Sequence, residues 1–204
     1  MGFYREQIVP PLLDLVMRNA EAKRRRAVVV PRARGRVLEV GIGSGLNLPY
    51  YSRDVTALVG VEPSAKLVAM TRRKMGDLSF PVDLVQRSAE ELPFDGGSFD
   101  TVVTTWVLCS IPEPLRALSE MRRVLAPGGQ LLFVEHGLAP DAGVRAWQRR
   151  LNPVWRCISG GCNVDREIDD LFARAGFRIA TLDRFYLKGA RLLTATYEGT
   201  AVPA

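Results

Sequence analysis

Five short apolar runs alternate with helix-patterned segments, and this rhythm constrains the fold more than any other feature of the chain. The runs are "RVLEVGI" (Arg36 to Ile42), "ALVGVE" (Ala57 to Glu62), "PVDLVQR" (Pro81 to Arg87), "FDTVVTTWVL" (Phe99 to Leu108) and "QLLFVEH" (Gln130 to His136). Between them, "LNLPYY" opens a short helix, and "SAKLVAMTRRKM" (Ser64 to Met75) reads as a helix with Ser64 as its N-cap. "PLRALSEMRRVLAPGG" (Pro114 to Gly129) reads as a helix stopped by Pro-Gly-Gly. Strands separated by helices imply βαβ units and a parallel sheet. The near-continuous apolar strands agree, because a parallel sheet is covered on both faces. The tail differs. "DREIDDLFARAGF" is a helix with Asp165 as its N-cap, and "RIATLDRFYL" and "ARLLTATYEG" are two strands joined near Lys188-Gly189. That pair predicts an antiparallel hairpin at the end of a doubly wound α/β sheet.

The 204 residues suffice for one domain with a real core. No stretch approaches the roughly 20 apolar residues of a membrane span, and the N-terminus lacks a signal-peptide pattern. The cysteines are Cys109, Cys157 and Cys162, an odd count that suits a reducing, cytoplasmic compartment. Cys157 and Cys162 lack zinc-knuckle spacing, and the single histidine, His136, does not complete a usual four-ligand set with them. No metal is expected. Formal net charge is +6, with arginines concentrated in "AKRRRAVVVPRARGR" (Ala22 to Arg36). A solvated face explains that run. No aromatics interleave with it, so nucleic acid is not an expected partner.

Residues 1–27 read as helical, with Ile8, Leu12, Leu15 and Val16 on one stripe and Phe3 and Tyr4 before it. Pro10-Pro11 is expected to divide the segment into two pieces. A lid over a pocket, spanning residues 1–30, is the first reading. An interfacial helix making peripheral membrane contact is the second.

"RVLEVGIGSGLNLPYY" (Arg36 to Tyr51) places Gly41, Gly43 and Gly45 directly after the first strand. A P-loop needs Gly-Lys-Ser/Thr, and no lysine is near. The dinucleotide fingerprint needs a third glycine where Leu46 stands. The loop therefore approaches a ligand without marking a diphosphate. Glu62 ends the second strand, 21 residues after Gly41, where a carboxylate can accept hydrogen bonds from ribose hydroxyls. A ribose-bearing ligand without a diphosphate fits S-adenosylmethionine.

"LEVGIGSG", "VEPS", "AEELPF", "SFDTVV" and "RVLAPGG" follow one another in the order of the motifs of class I S-adenosylmethionine-dependent methyltransferases, which the chain resembles. "TTWVLCS", "VEH", "GGCNVDRE" and "LNPVWRCISGGCNVDRE" (Leu151 to Glu167) resemble the small-molecule branch that includes the alkyl thiol methyltransferases. The resemblance implies a Rossmann-like, doubly wound, seven-stranded, mostly parallel sheet with a C-terminal antiparallel hairpin. It also implies one domain over residues 1–204, in which 137–166 forms the acceptor pocket. The membrane-bound relatives begin with a long apolar anchor, and this chain has only the short mixed segment 3–17.

The implied cofactor site comprises Glu39, Gly41, Gly43, Gly45, Asn47, Glu62, Pro63, Ser88, Ala89, Glu90 and Thr105. Glu39 would anchor the ammonium of S-adenosylmethionine, the glycines its methionine part, Glu62 its ribose, and Ser88-Ala89-Glu90 its adenine. Asn47 would cap a helix or donate to the carboxylate. Trp106, Trp155, Cys162 and Asn163 would bind the acceptor, and Arg166 would pair with Glu167 or Asp169. His136 and Glu135 are the candidate catalytic residues, since imidazole titrates near neutrality. The expected activity is methyl transfer to a small molecule, first a thiol. The alternatives are O- or N-methylation of a quinone precursor, natural product or phospholipid amine, or a protein that binds the cofactor or nucleic acid without turnover.

Overall fold

The computed structural model describes residues 7–76 and 78–204, so Phe3 and Tyr4 lie outside the described residues. Seven strands form one sheet in the order β3-β2-β1-β4-β5-β7-β6. They are β1 (Gly35–Val40), β2 (Val55–Val61), β3 (Val82–Val85), β4 (Phe99–Thr105), β5 (Leu125–His136), β6 (Phe177–Tyr186) and β7 (Ala195–Pro203). Strands β1 to β5 pair in parallel, and β7 runs antiparallel between β5 and β6. The strand order reverses between β1 and β4. Open α/β sheets bind ligands at such a switch point, outside the carboxyl ends of the strands.

The apolar runs become strands because both faces are covered. On one face, Leu38, Val102, Leu131 and Phe133 pack with Leu118, Met121 and Phe172 from the helices α4 (Pro114–Val124) and α6 (Ile168–Arg174). On the other face, the alternate residues Val37, Val103, Leu132 and Val134 pack with Val29, Val55 and Phe80. A one-residue slip in any of these strands would exchange the two faces.

Several boundaries differ from the sequence reading. Among the described residues the two prolines make no break; Pro10 and Pro11 follow Val9 in the first turn of α1 (Val9–Val16). A missing N–H costs nothing there. The break falls at residues 17–19, and Asn19 caps α2 (Ala20–Val29) through a hydrogen bond from Ala22 N. Ser64 caps α3 (Ala65–Arg72) as expected, accepting from Leu67 N. Asp165 caps nothing, because α6 starts later and its N-cap is Glu167. "ARLLTATYEG" is not strand throughout. Arg191–Thr194 forms one helical turn, α7, and the strand begins at Ala195. Gln148 holds that turn by donating from Nε2 to Leu192 O.

The largest departure is α5 (Ala142–Ile158), a 17-residue helix within residues 137–166. Its buried residues are polar: Gln148 accepts from Ala139 N at 2.8 Å, and Asn152 accepts from Val164 N at 3.0 Å. Its apolar residues Trp147, Leu151, Val154 and Ile158 face outward. Among the described residues, no helix is long and apolar enough to cross a membrane.

Candidate cofactor and acceptor site

A cavity of about 440 Å³ lies across the carboxyl ends of β2, β1, β4 and β5, within the usual range for small-molecule sites. Its floor is the loop after β1. Gly41, Gly43 and Gly45 all have positive φ, at +66°, +59° and +76°. This left-handed alternation explains why every second residue is glycine. A side chain at Gly43 would meet only Gly41 O, 3.7 Å away, so the backbone there is open to a ligand. Gly45 instead packs against Leu48 and Thr71, away from the cavity wall. Thr71 Oγ1 donates to Gly43 O at 2.7 Å and ties the loop to α3.

Glu62 faces the cavity from the end of β2, with Pro63 beside it. Its two oxygens accept from Gly43 N at 3.2 Å and Ser64 N at 2.9 Å. Burial raises its pKa, and the two backbone donors work against that rise. Each oxygen keeps a lone pair for a further donor. A fixed acceptor of two hydroxyls is what a ribose requires.

Glu39 is fully buried at the end of β1. Asn47 Nδ2 donates to its Oε1 and Tyr51 OH to its Oε2, both at 2.8 Å. Asn47 also donates to Thr105 Oγ1 at 3.1 Å and accepts from Arg26 Nε at 2.9 Å. The Asn47 side chain does not cap a helix; it links Glu39 to Thr105 and Arg26. Burial pushes the Glu39 pKa up from 4.5 to about 7, against the Tyr51 and Asn47 hydrogen bonds and the Arg26 charge. A buried carboxylate held this far from its ordinary range gains from a cationic ligand.

Ser88 and Ala89 line the β3 side of the cavity. Glu90 turns away, accepting from Ser88 Oγ at 2.6 Å and from Glu113 N at 2.7 Å. Its side chain braces the turn after β3 and is not part of the wall.

The opposite end is built by the turn after β4. Trp106 has φ +55°, the one non-glycine residue with positive φ among the described residues. A bulky residue there is strained unless its surroundings hold it. Glu135 does this. One of its oxygens accepts from Val107 N at 2.9 Å and Leu108 N at 3.0 Å. Its carboxyl is wholly buried behind the wall, and burial lifts its pKa well above the ordinary range. Glu135 therefore orders the turn; it is not exposed to an acceptor. Arg166 does not pair with Glu167 or Asp169, and instead donates to Leu108 O from the other side.

Trp106, Cys109, His136, Trp155 and Cys162 line this end. Asn163 lies behind it, donating from its backbone N and from Nδ2 to Cys109 O at 2.8 and 2.9 Å. Cys162 Sγ stands 4.0 Å from His136 Nδ1. Trp155 Nε1 is buried with no hydrogen-bond partner among the described residues.

Two contributors were hidden in the sequence. Arg26 sits within the basic run and reads as solvated, yet it is 4% exposed. It donates to Met17 O at 2.7 Å and lies 5.0 Å from the Trp106 ring centre. The spacing of Ala22, Arg26 and Val29, all buried on one stripe of α2, was its only signal. Asp14 is the second. It accepts from Ser44 Oγ, from Lys74 Nζ at 2.9 Å and from Arg18, and so pins α1 to the glycine loop. Leu13, Asp14, Val16 and Met17 border the cavity.

The profile of the family described as "Methyltransferase domain" matches residues 38–133, the stretch that supplies this cradle. That stretch matches a methyltransferase domain, and the chain resembles the class I S-adenosylmethionine-dependent methyltransferases. It is 44% identical over 127 residues to a phosphatidylethanolamine N-methyltransferase from Cereibacter sphaeroides, covering 61% of this chain and 62% of the relative. It is 34% identical over 150 residues to the human Thiol S-methyltransferase TMT1A, covering 72% of this chain and 62% of the relative. The chain thus spans less than two thirds of either. A Thermotoga maritima S-adenosylmethionine-dependent methyltransferase shares the fold at a TM-score of 0.67 and 22% identity, with 98% of this chain and 97% of that one covered. S-adenosylmethionine is the cofactor these matches indicate. The cavity suits such a ligand chemically: it offers the buried acid Glu39, the open backbone at Gly43 and, in Glu62, an acceptor for two hydroxyls.

Proposed function

We propose that the chain transfers a methyl group from S-adenosylmethionine to the sulfur of a small lipophilic thiol. The observation that carries this reading is the composition of the acceptor end. Trp106, Trp155 and Ile111 give apolar walls, and Cys109, Cys162 and His136 give the polar contacts. Of the cavity carboxylates, Glu39 and Glu62 lie on the cofactor side, and Asp14 is engaged by Ser44 and Lys74. A thiolate is intrinsically a strong nucleophile, so transfer to it depends mainly on alignment and exclusion of water. Trp106 and Trp155 supply the exclusion. His136 supplies a nitrogen at the acceptor. In this reading α1 is a lid: it borders the cavity and is held down by Asp14.

A phospholipid amine is the second reading, and a specific observation favours it. The outward residues of α5, with Leu12, Leu15 and Val16 of α1, leave apolar surface near the cavity. Arg145, Arg149, Arg150 and Arg156 stand exposed on the same helix. Such a face suits peripheral contact with an anionic bilayer.

Transfer of a labelled methyl group to a short alkyl thiol, beside transfer to phosphatidylethanolamine in vesicles, tests the two readings. The buffer must contain no thiol reductant. Enzyme-dependent thioether formation without lipid labelling supports the first reading. Lipid labelling without thioether overturns it.

A further inference from the structure

Three soft ligand atoms meet at the acceptor wall. Cys109 follows the turn after β4, His136 ends β5 and Cys162 lies in the Gly160-Gly161 turn after α5. The two sulfurs and an imidazole nitrogen lie within 4.8 Å of one another. All three residues border the cavity. In a tetrahedral zinc site, bonds of about 2.3 Å to sulfur and 2.0–2.1 Å to nitrogen place ligand atoms roughly 3.5–3.8 Å apart. The Cys162–His136 distance of 4.0 Å nearly meets this. Contraction of about an ångström at most, within reach of side-chain torsions, would close the rest.

The backbone that presents these atoms is fixed. Asn163 ties the Cys162 turn to Cys109 O by two hydrogen bonds and reaches Gly161 O at 3.0 Å. Asn152 holds Asn163 Oδ1 at 3.3 Å from within α5. Gly160 and Gly161, at φ +76° and +121°, allow the turn to bring Cys162 back against β5. The sequence concealed the cluster because its members come from three elements 26 to 53 residues apart.

We propose that Cys109, His136 and Cys162 form a three-ligand site for a soft divalent cation, zinc foremost, with the fourth position open to the cavity. Two sulfurs and one nitrogen select zinc over the oxygen-seeking cations. Three protein ligands with an open position is the arrangement of catalytic zinc, whereas structural sites close all four. The fourth ligand would be the acceptor's thiolate, and this part rests on the thiol reading above. The thiol proton would leave to solvent on coordination. A sulfur lone pair would then form the bond to the methyl carbon, and the breaking bond's electrons would return to the cofactor sulfur.

The test uses the full chain, reduced with a phosphine, stripped by a chelator and titrated with Co²⁺. The expected result is one equivalent bound, with the sulfur-to-cobalt charge-transfer and intense visible bands of a tetrahedral site, displaced by Zn²⁺. Cys109→Ser and Cys162→Ser should each weaken the charge-transfer band and together abolish it, and His136→Asn should weaken binding at least ten-fold. Circular dichroism identifies any variant that fails to fold, and the remaining variants then decide. Absence of the bands in the wild-type chain, with no zinc retained on purification, would overturn the site. Addition of a short alkyl thiol should shift the charge-transfer band. A band that forms and ignores the thiol overturns the fourth-ligand assignment and leaves the metal site standing.

Discussion

At the residue scale, two buried acids near the sheet's switch point have opposite duties. Glu39 prefers its proton in the absence of a cation, with a pKa of about 7 against 4.5. A raised acid binds protons more tightly folded than unfolded. The free protein is therefore expected to lose stability as pH rises from about 4.5 to 7. An ammonium ligand reverses the preference, so S-adenosylmethionine should bind more tightly as pH rises toward 7. Above about 8 the ligand's own amine deprotonates and the trend ends. Calorimetric titrations from pH 5.5 to 7.5 should show this rise in the wild type and not in Glu39→Gln. Glu135 is structural by contrast. Glu135→Ala strands two buried backbone donors, and a loss of roughly 2–4 kcal/mol is expected by thermal or denaturant unfolding. Glu135→Gln, which keeps an acceptor oxygen, should lose much less. Equal losses would contradict the role assigned to Glu135.

At the scale of elements, the strands were legible because packing on both faces leaves continuous apolar runs. Ser64 was legible because an N-cap is a local device. The miss at α5 has a physical cause. Its buried contacts are made by Gln148 and Asn152, its apolar residues face outward, and Pro153 lies within it. Periodicity assigns the apolar stripe to the core, and here the stripe is surface. The position of α1 was half legible. Its stripe was visible, but its attachment runs through Asp14, one acid amid apolar residues. Hydrogen bonds from Ser44, Lys74 and Arg18 hold Asp14 below the usual carboxylate range although burial opposes them. Asp14→Ala should release α1 and speed dissociation of bound S-adenosylhomocysteine several-fold in stopped-flow measurements. An unchanged off-rate would remove the lid role.

At the scale of the molecule, the cavity, the basic balance of +6 and the outward face of α5 lie on one chain. Exposed Trp147 and Leu151 between arginines form an amphipathic face that a bilayer could cover. Sedimentation with phosphatidylglycerol vesicles should show binding that falls several-fold in Trp147→Ser/Leu151→Ser and weakens with salt. Equal binding by the double variant would exclude α5 from any membrane contact. That Glu39, the glycine loop and Glu62 border one cavity was readable from sequence because these residues follow strand ends in order. The acceptor half was only partly readable. Trp106, Trp155 and Cys162 were visible as candidates, but the meeting of Cys109 with His136 and Cys162 exists only in three dimensions.

The central claim is that the switch-point cavity holds S-adenosylmethionine, with its ribose on Glu62. Calorimetric titration of S-adenosylmethionine into the wild type and Glu62→Ala tests it most directly. The expected result is one site in the wild type, weakened in the variant by roughly 1–3 kcal/mol through lost charged hydrogen bonds. Equal affinity in the two proteins, or no binding by the wild type, would contradict the account.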